Sequence, residues 1–355
     1  MIRSLLLAFA ASALLVGCAP MVQQAGHPDL TFTGPRLDPH EVVSFDGARL
    51  GLRRWEPATG EPWAVIIGLH GMNDYSNAFH LAGPYWAERG IVTLAYDQRG
   101  FGRSPQRGVW AGQALMEEDL RTVVSLARQR YPHAIIAVVG ESMGGAVAIT
   151  AFASARPPPA DRLILVSPAV WGWSSQPVMN RVALWLFAHV DGPAVLQPPS
   201  FVYRHIRASD NIEELIRMGR DPQMLWGART DTLYGLVGLM QNGWREVGSA
   251  PVPTALLAGV HDQIIPKAPM LQAARKLRPT DRSAYYPDGW HLLLVDKQAP
   301  VVWRDIEGFL RDPAASLVSG TEPVPGAPPT PAAETAGVSV SASPARTRDS
   351  ELARP

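Results

Sequence analysis

From about residue 40 to residue 311 the chain keeps returning to one pattern, a short apolar run rich in β-branched residues followed by a longer stretch with helical spacing. The runs are Ala64–Leu69, Ile91–Tyr96, Ala134–Val139, Leu163–Val166, Thr254–Ala258 and Ser283–Tyr286. Runs of this length predict strands buried on both faces, and their alternation with helices predicts a mostly parallel sheet, an α/β class of fold. The helical stretches are Phe79–Arg89, Glu117–Arg130, Met143–Ala155, Pro269–Leu277 and Val301–Leu310. Ahead of them Val42–Phe45 and Leu50–Trp55 flank Asp46-Gly47, a dipeptide suited to a tight hairpin, so an antiparallel edge is expected before the parallel part.

The rhythm breaks between Pro168 and Pro251, where helical stretches studded with Trp, Leu and Met replace the strands. Met179–Val190 is one; Thr232–Trp244 is another, with Leu233, Leu236, Val237, Met240 and Trp244 recurring at spacings of three and four. Residues 169–250 are therefore expected to form a helical cap inserted into a core made of residues 40–168 and 251–311. Most of the cap's apolar stripes should pack on that core. A minority drawn from Trp173, Trp185, Phe187, Trp226, Leu233, Leu236, Met240 and Trp244 should face a substrate, with Trp185 and Met240 as the leading candidates.

Both ends differ from the middle. Residues 312–355 turn to Pro, Ala, Ser, Thr and Gly, with too few large apolar side chains to offset the entropy of ordering, which predicts a disordered tail. At the other end Arg3 is the only charge in the first eighteen residues, residues 4–16 are an apolar stretch too short to span a bilayer, and Leu15-Val16-Gly17-Cys18 follows. This resembles a bacterial lipoprotein signal with its lipobox. The resemblance implies a signal peptide at 1–17, lipid attachment at Cys18, a spacer over 18–39, and a protein anchored in the cell envelope. Ala19 in place of Asp would direct it to the outer membrane of a Gram-negative host.

Composition narrows the field further. Lys plus Arg and Asp plus Glu each total 32, so the net charge is zero and no long-range field draws the chain to nucleic acid. Cys18 is the only cysteine, which rules out an internal disulfide. A hydrophobic content of 46% supports a sizeable core without one.

The chemistry gathers at strand ends. Gly140-Glu141-Ser142-Met143-Gly144-Gly145 follows the run Ala134–Val139 and opens the next helical stretch, the strand-turn-helix setting of a nucleophile elbow. A serine hydroxyl needs a base within hydrogen-bond reach and an acid to orient that base. In elbow-bearing α/β-hydrolases the chain order is serine, acid, histidine. Asp262 follows the run Thr254–Ala258, and His291 lies in Gly289-Trp290-His291-Leu292 after the last strand. His133 stands at the wrong end of a strand, His189 and His205 lie in the cap, and His261 adjoins the proposed acid. Asp288 and Asp296 are the alternative acids, each only a few residues from His291. The Met143 N–H, directly after the nucleophile, is one candidate donor for an oxyanion hole.

Taken in order, His70-Gly71, Asp97-x-Arg99-Gly100-x-Gly102-x-Ser104, Gly140-x-Ser142-Met143-Gly144-Gly145, Gly259-x-x-Asp262 and His291 resemble the monoacylglycerol lipase and lysophospholipase group of α/β-hydrolases, over roughly Val42–Leu310. The resemblance implies an α/β-hydrolase fold and a serine ester hydrolase acting on monoacyl lipids, with no cofactor or metal. It implies the Met72 N–H as the second oxyanion donor and His70 as an orienting residue. The partners it implies are a lipid or ester substrate and, through Cys18, a membrane. A small-molecule carboxylesterase or a peptidase of the same fold would keep the triad and differ in the cap, and a non-catalytic binding lipoprotein is a further alternative. Glu141 stands where the group usually has His, and Met72-Asn73-Asp74 replaces the usual Gly-Glu pair.

Overall fold

The computed structural model describes residues 19–199 and 205–329. Nine strands form one sheet in the order β1-β2-β3-β5-β4-β6-β7-β10-β11. They are β1 (Arg36–Leu37), β2 (Glu41–Val43), β3 (Arg49–Trp55), β4 (Ala64–Leu69), β5 (Ile91–Tyr96), β6 (Ile135–Glu141), β7 (Arg162–Val166), β10 (Thr254–Gly259) and β11 (Arg282–Tyr286). From β5 through β11 every pairing is parallel, while β1, β2 and β3 join antiparallel at one edge, as the Asp46-Gly47 hairpin requires. Gly47 takes φ +79° in that turn, a conformation L side chains rarely adopt.

Alternation along the strands feeds two cores. In β4, Val65, Ile67 and Leu69 face one core, which also holds Leu120 and Val123 from α2 (Gln113–Arg130) and Val147 and Ala151 from α3 (Met143–Ala153). Ala64 and Ile66 face the other, with Trp86 from α1 (Ala82–Ala87) and Val302, Ile306 and Phe309 from the last helix, Ala299–Arg311. Burial on both faces is why these strands read as unbroken apolar runs. One predicted helix is shortened: Phe79–Arg89 becomes a 3-10 turn at Ser76–Phe79 followed by α1. Pro84 cannot donate a backbone hydrogen bond, so the α-helix starts just before it.

The cap contains α4 (Val178–Val190), α5 (Ile212–Arg220) and α6 (Thr230–Glu246), with a small antiparallel ribbon of β8 (Val195–Leu196) and β9 (Ala228–Arg229). Helix α7 (Lys267–Ala274) and helix α8 (Ala299–Arg311) return to the core. Helix α6 lies against α3, where a Cβ on Gly243 would stand 3.3 Å from that of Ala146, and its Val237, Leu239 and Met240 join the main core. Among the described residues no helix is long and apolar enough to cross a membrane.

Two expectations about the ends are corrected. The segment after Cys18 is not a free spacer: the Gln23 N–H donates to the Trp110 carbonyl at 2.9 Å, its side chain to the Val109 carbonyl at 2.8 Å, and the Gly26 N–H to Asp46 at 2.6 Å. The described part of the tail, residues 312–329, is ordered. The Tyr285 N–H on edge strand β11 donates to the Glu322 carbonyl at 2.8 Å, Asp305 accepts the Ser319 N–H at 2.7 Å, and Leu317 and Val324 are buried. A strap that pairs an exposed strand edge gains hydrogen bonds that composition alone does not register. The proposed signal peptide, Cys18 and residues 330–355 lie outside the described residues.

Candidate active site

The nucleophile stands where β6 turns into α3. Ser142 has φ +52° and ψ −116°, a strained backbone that lifts its hydroxyl off the sheet edge. The turn closes because its neighbours lack side chains: a Cβ on Gly140 would sit 2.6 Å from the Gly144 carbonyl, and one on Gly144 would sit 2.4 Å from that of Leu69. The Ser142 N–H donates to Val166 at 3.0 Å and its carbonyl accepts from Ala169 at 2.9 Å, which fixes the elbow from both sides.

Three residues far apart in sequence meet there. His291 Nε2 lies 2.9 Å from Ser142 Oγ, and its Nδ1 lies 2.9 Å from Asp262 Oδ2. Asp262 is held in turn, because its Oδ1 accepts the N–H groups of Ile264 at 2.8 Å and Ile265 at 2.9 Å. The carboxylate thus accepts from Nδ1–H and leaves Nε2 free to take the serine proton. The alternative acids fall away. Asp288 is exposed, and Asp296 accepts Ser209 Oγ at 2.6 Å and the Trp290 N–H at 2.7 Å, bracing the loop that carries His291.

The oxyanion side is built from β4 and its following loop. Gly71 backs onto the nucleophile so closely that a Cβ would stand 3.2 Å from that of Ser142, and Met72 continues the pocket wall. Met143 opens α3, where the first N–H groups have no partner within the helix. His70 is fully buried; its Nδ1 donates to the Gly71 carbonyl at 2.8 Å and its Nε2 accepts the Gln98 N–H at 2.9 Å. Burial pushes its pKa down to about 4, so it orients the loop as a neutral ring. The Asp97–Ser104 loop is a brace. Asp97 accepts the N–H groups of Ser76 and Arg103, both at 2.9 Å, and Arg99 is clasped between Asp46 and Asp119.

A cavity of about 520 Å³ opens above Ser142 and His291, walled by Leu215, Met218, Met224, Leu225, Trp226 and Ile264 among others. Of the cap candidates only Trp226 lies on this wall. Met240 points into the core, and Trp185 is half exposed and stacked on His189 with ring centroids 4.5 Å apart, so neither leading candidate lines the cavity. Periodicity identified their helices but could not say which face turns to the pocket.

Two acids near the nucleophile were not expected to be buried. Burial lifts the Asp74 carboxyl to about 7, and Glu141 lies well above the usual range through burial and the nearby charges of Asp74 and Asp296. Asp296 is itself pushed up to about 6, chiefly by burial. The only sequence signal was that Asn73-Asp74 and Glu141 depart from the group's usual residues.

An elbow serine, a histidine and a carboxylate in hydrogen-bonded series at the C-terminal edge of a mostly parallel sheet define a serine hydrolase of the α/β-hydrolase fold. The chain belongs to the serine aminopeptidase S33 family, whose sequence profile matches residues 60–298. It is similar to the monoacylglycerol lipase of Mycolicibacterium smegmatis, 25% identical over 283 residues that cover 76% of this chain and 96% of that enzyme. Human monoglyceride lipase is 31% identical over 137 residues, 38% of this chain and 45% of that one. In structure it resembles a soluble variant of monoglyceride lipase from Saccharomyces cerevisiae solved with a substrate analogue, with a TM-score of 0.65 at 18% identity, covering 81% of this chain and 99% of that one. At that identity the likeness speaks for the fold.

Proposed function

We propose that the protein hydrolyses carboxylic esters of single acyl chains, such as monoacylglycerols or lysophospholipids, through an acyl-enzyme on Ser142. The observation that carries this reading is the Asp262–His291–Ser142 relay opening onto a cavity with a mainly apolar wall, much of it from the cap. His291 Nε2 takes the Ser142 proton as Oγ bonds to the substrate carbonyl carbon, and the Met72 and Met143 N–H groups hold the resulting oxyanion. His291 then passes that proton to the departing alkoxide as the ester C–O bond breaks, leaving the acyl group on Ser142. Water deprotonated by His291 attacks this second ester, and Oγ leaves with the proton to release the acid. The family's label and the names of the similar lipases support ester and amide chemistry at this site. The apolar wall favours an acyl chain over a peptide.

The test is a series of monoacyl esters from two to sixteen carbons, with Ser142→Ala as blank and aminoacyl p-nitroanilides in parallel. Each buried methylene contributes about 0.8 kcal/mol, so efficiency should climb through eight or more carbons until the cavity fills. Efficiency highest at two carbons, or a preference for the anilides, would replace the lipid reading with a small esterase or a peptidase. We further propose that Cys18 carries the lipid anchor. Radiolabelled palmitate should then be incorporated into the protein and that incorporation lost with Cys18→Ser, and a wild-type protein that takes up no label would refute the anchor.

A further inference from the structure

The cap turns an apolar face to solvent. On α4, Met179, Val182, Leu186 and Val190 recur at spacings of three and four and are 75%, 55%, 48% and 71% exposed. The ribbon strand β8 adds Val195 and Leu196, both exposed. Between residues 178 and 199 the only Lys, Arg, Asp or Glu side chains are Arg181 and Asp191. A solvated helix carries charges on its outer face, and a monomer rarely leaves so continuous an apolar surface uncovered.

Two further observations say what covers it. The face runs into the mouth of the cavity. Val195 packs so tightly on Gly227 that a Cβ there would stand 2.6 Å from it, and the preceding residue, Trp226, is a half-exposed part of the cavity wall. The described part of the N-terminal segment also begins at this rim. Gln23 is clamped to Val109 and Trp110, and beyond it Met21 lies 3.8 Å from the guanidinium of Arg229, whose strand partner is Val195. Residues 1–18, with the short apolar stretch and Cys18, continue from that point, and Met21 and Val22 extend the apolar face as exposed side chains.

We infer that the face formed by α4, β8 and residues 21–22 docks on a lipid bilayer, with the clamped N-terminal segment setting its orientation so that the cavity mouth meets the lipid. The inference rests on the proposed monoacyl-lipid reading of the cavity. With Arg181 as the single Lys or Arg on α4, attachment comes from apolar burial and is independent of anionic headgroups. The clamp matters because a free spacer would leave the domain to tumble about its anchor, whereas a segment fixed by Gln23 presents one face.

The experiment uses the full chain carrying Cys18→Ser, which removes the anchor, and phosphatidylcholine vesicles. Co-sedimentation is expected, and adding Met179→Glu with Leu186→Glu should weaken it at least about tenfold while hydrolysis of a soluble short-chain ester stays unchanged. In the anchored protein, Gln23→Ala should lower hydrolysis of a vesicle-borne monoacyl ester several-fold and leave the soluble ester untouched. Vesicle binding that survives the double substitution overturns the proposal, as does binding that requires phosphatidylglycerol and vanishes in high salt. A dimer in solution that the double substitution converts to monomer, without vesicle binding by the parent, would make a second copy the occupant and overturn it too. Vesicle binding is read without catalysis, so binding by a protein that splits no ester would uphold the docking face and refute the proposed function instead.

Discussion

The sheet edge that holds Ser142 and the cap that covers it are built on opposite terms. At the edge the charges of the site are held from several sides: Asp262 accepts two backbone N–H groups besides His291, and Arg99 sits between two carboxylates with almost no exposure. In the cap, α5 has no buried residue and α4 has one, Ala188. Helix α6 packs into the main core, but the rest of the cap is tied down chiefly by hydrogen bonds, such as Leu225 N–H to Asn73 at 3.0 Å and Leu292 N–H to Ala208 at 2.9 Å. Catalysis requires donors and acceptors fixed before the substrate arrives, whereas admitting and releasing an apolar chain requires a cover that opens at small cost. Substitutions at the edge should therefore act steeply, and those in the cap gently.

The steepest effect should come from the triad acid. Asp262→Asn should lower kcat about 10⁴-fold, by removing the acceptor that keeps the Nδ1 proton in place. Steady-state rates on a soluble ester, with an unchanged melting curve, test it, and near-normal turnover would return the role to Asp296. Next comes Arg99→Met, which strands Asp46 and Asp119 without a counter-charge and should cost about 3–5 kcal/mol in urea unfolding. A loss below 1 kcal/mol would mean that the edge is less tightly held than the comparison requires.

Asp74 gives a smaller effect with a sign that depends on pH. Its carboxyl is raised from 3.8 to about 7 in the folded protein, mainly by burial. Folding therefore favours the protonated form: the contribution is complete below about pH 4 and is lost as pH rises through 7. Asp74→Asn should stabilise the protein at pH 8 by something on the order of 2 kcal/mol and change little at pH 4. Equal changes at both values would assign the effect to the hydrogen bond that Asp74 accepts from the Tyr75 N–H. Smallest is the cap wall, where Leu215→Ala should shift the preferred acyl length by a few carbons and leave turnover of short esters as it was. An equal fall for all chain lengths would make Leu215 part of the rigid frame.

The same contrast governs what could be read from the sequence. Strands such as Ala64–Leu69 and Ile91–Tyr96 were legible to the residue because burial on both faces leaves an unbroken apolar signature. That Ser142, Asp262 and His291 would meet was legible because each follows a strand and the fold fixes their order. Helix α5 was readable and overlooked, since Ile212, Leu215 and Ile216 recur at helical spacing behind an Asn211 N-cap, with Glu213 and Glu214 in the first turn and Arg217 and Arg220 in the last, whereas the two-residue strands β8 and β9 carry no period at all. Trp185 and Met240 were misplaced because a periodic stripe shows that a helix has a buried face without saying what buries it. The burial of Asp74 and Glu141 depends on packing between loops distant in sequence. The strap at 312–329 rests on a few backbone hydrogen bonds and two apolar side chains, too little to register against its Pro and Gly content.

The central claim is that Ser142 alone is the activated nucleophile of this chain. A fluorophosphonate probe followed by intact mass and peptide mapping tests it without any assumption about substrate. The account predicts one probe per chain, on the peptide containing Ser142, with no labelling of Ser142→Ala. An unlabelled wild-type protein, or a Ser142→Ala variant that still takes up the probe, would contradict it.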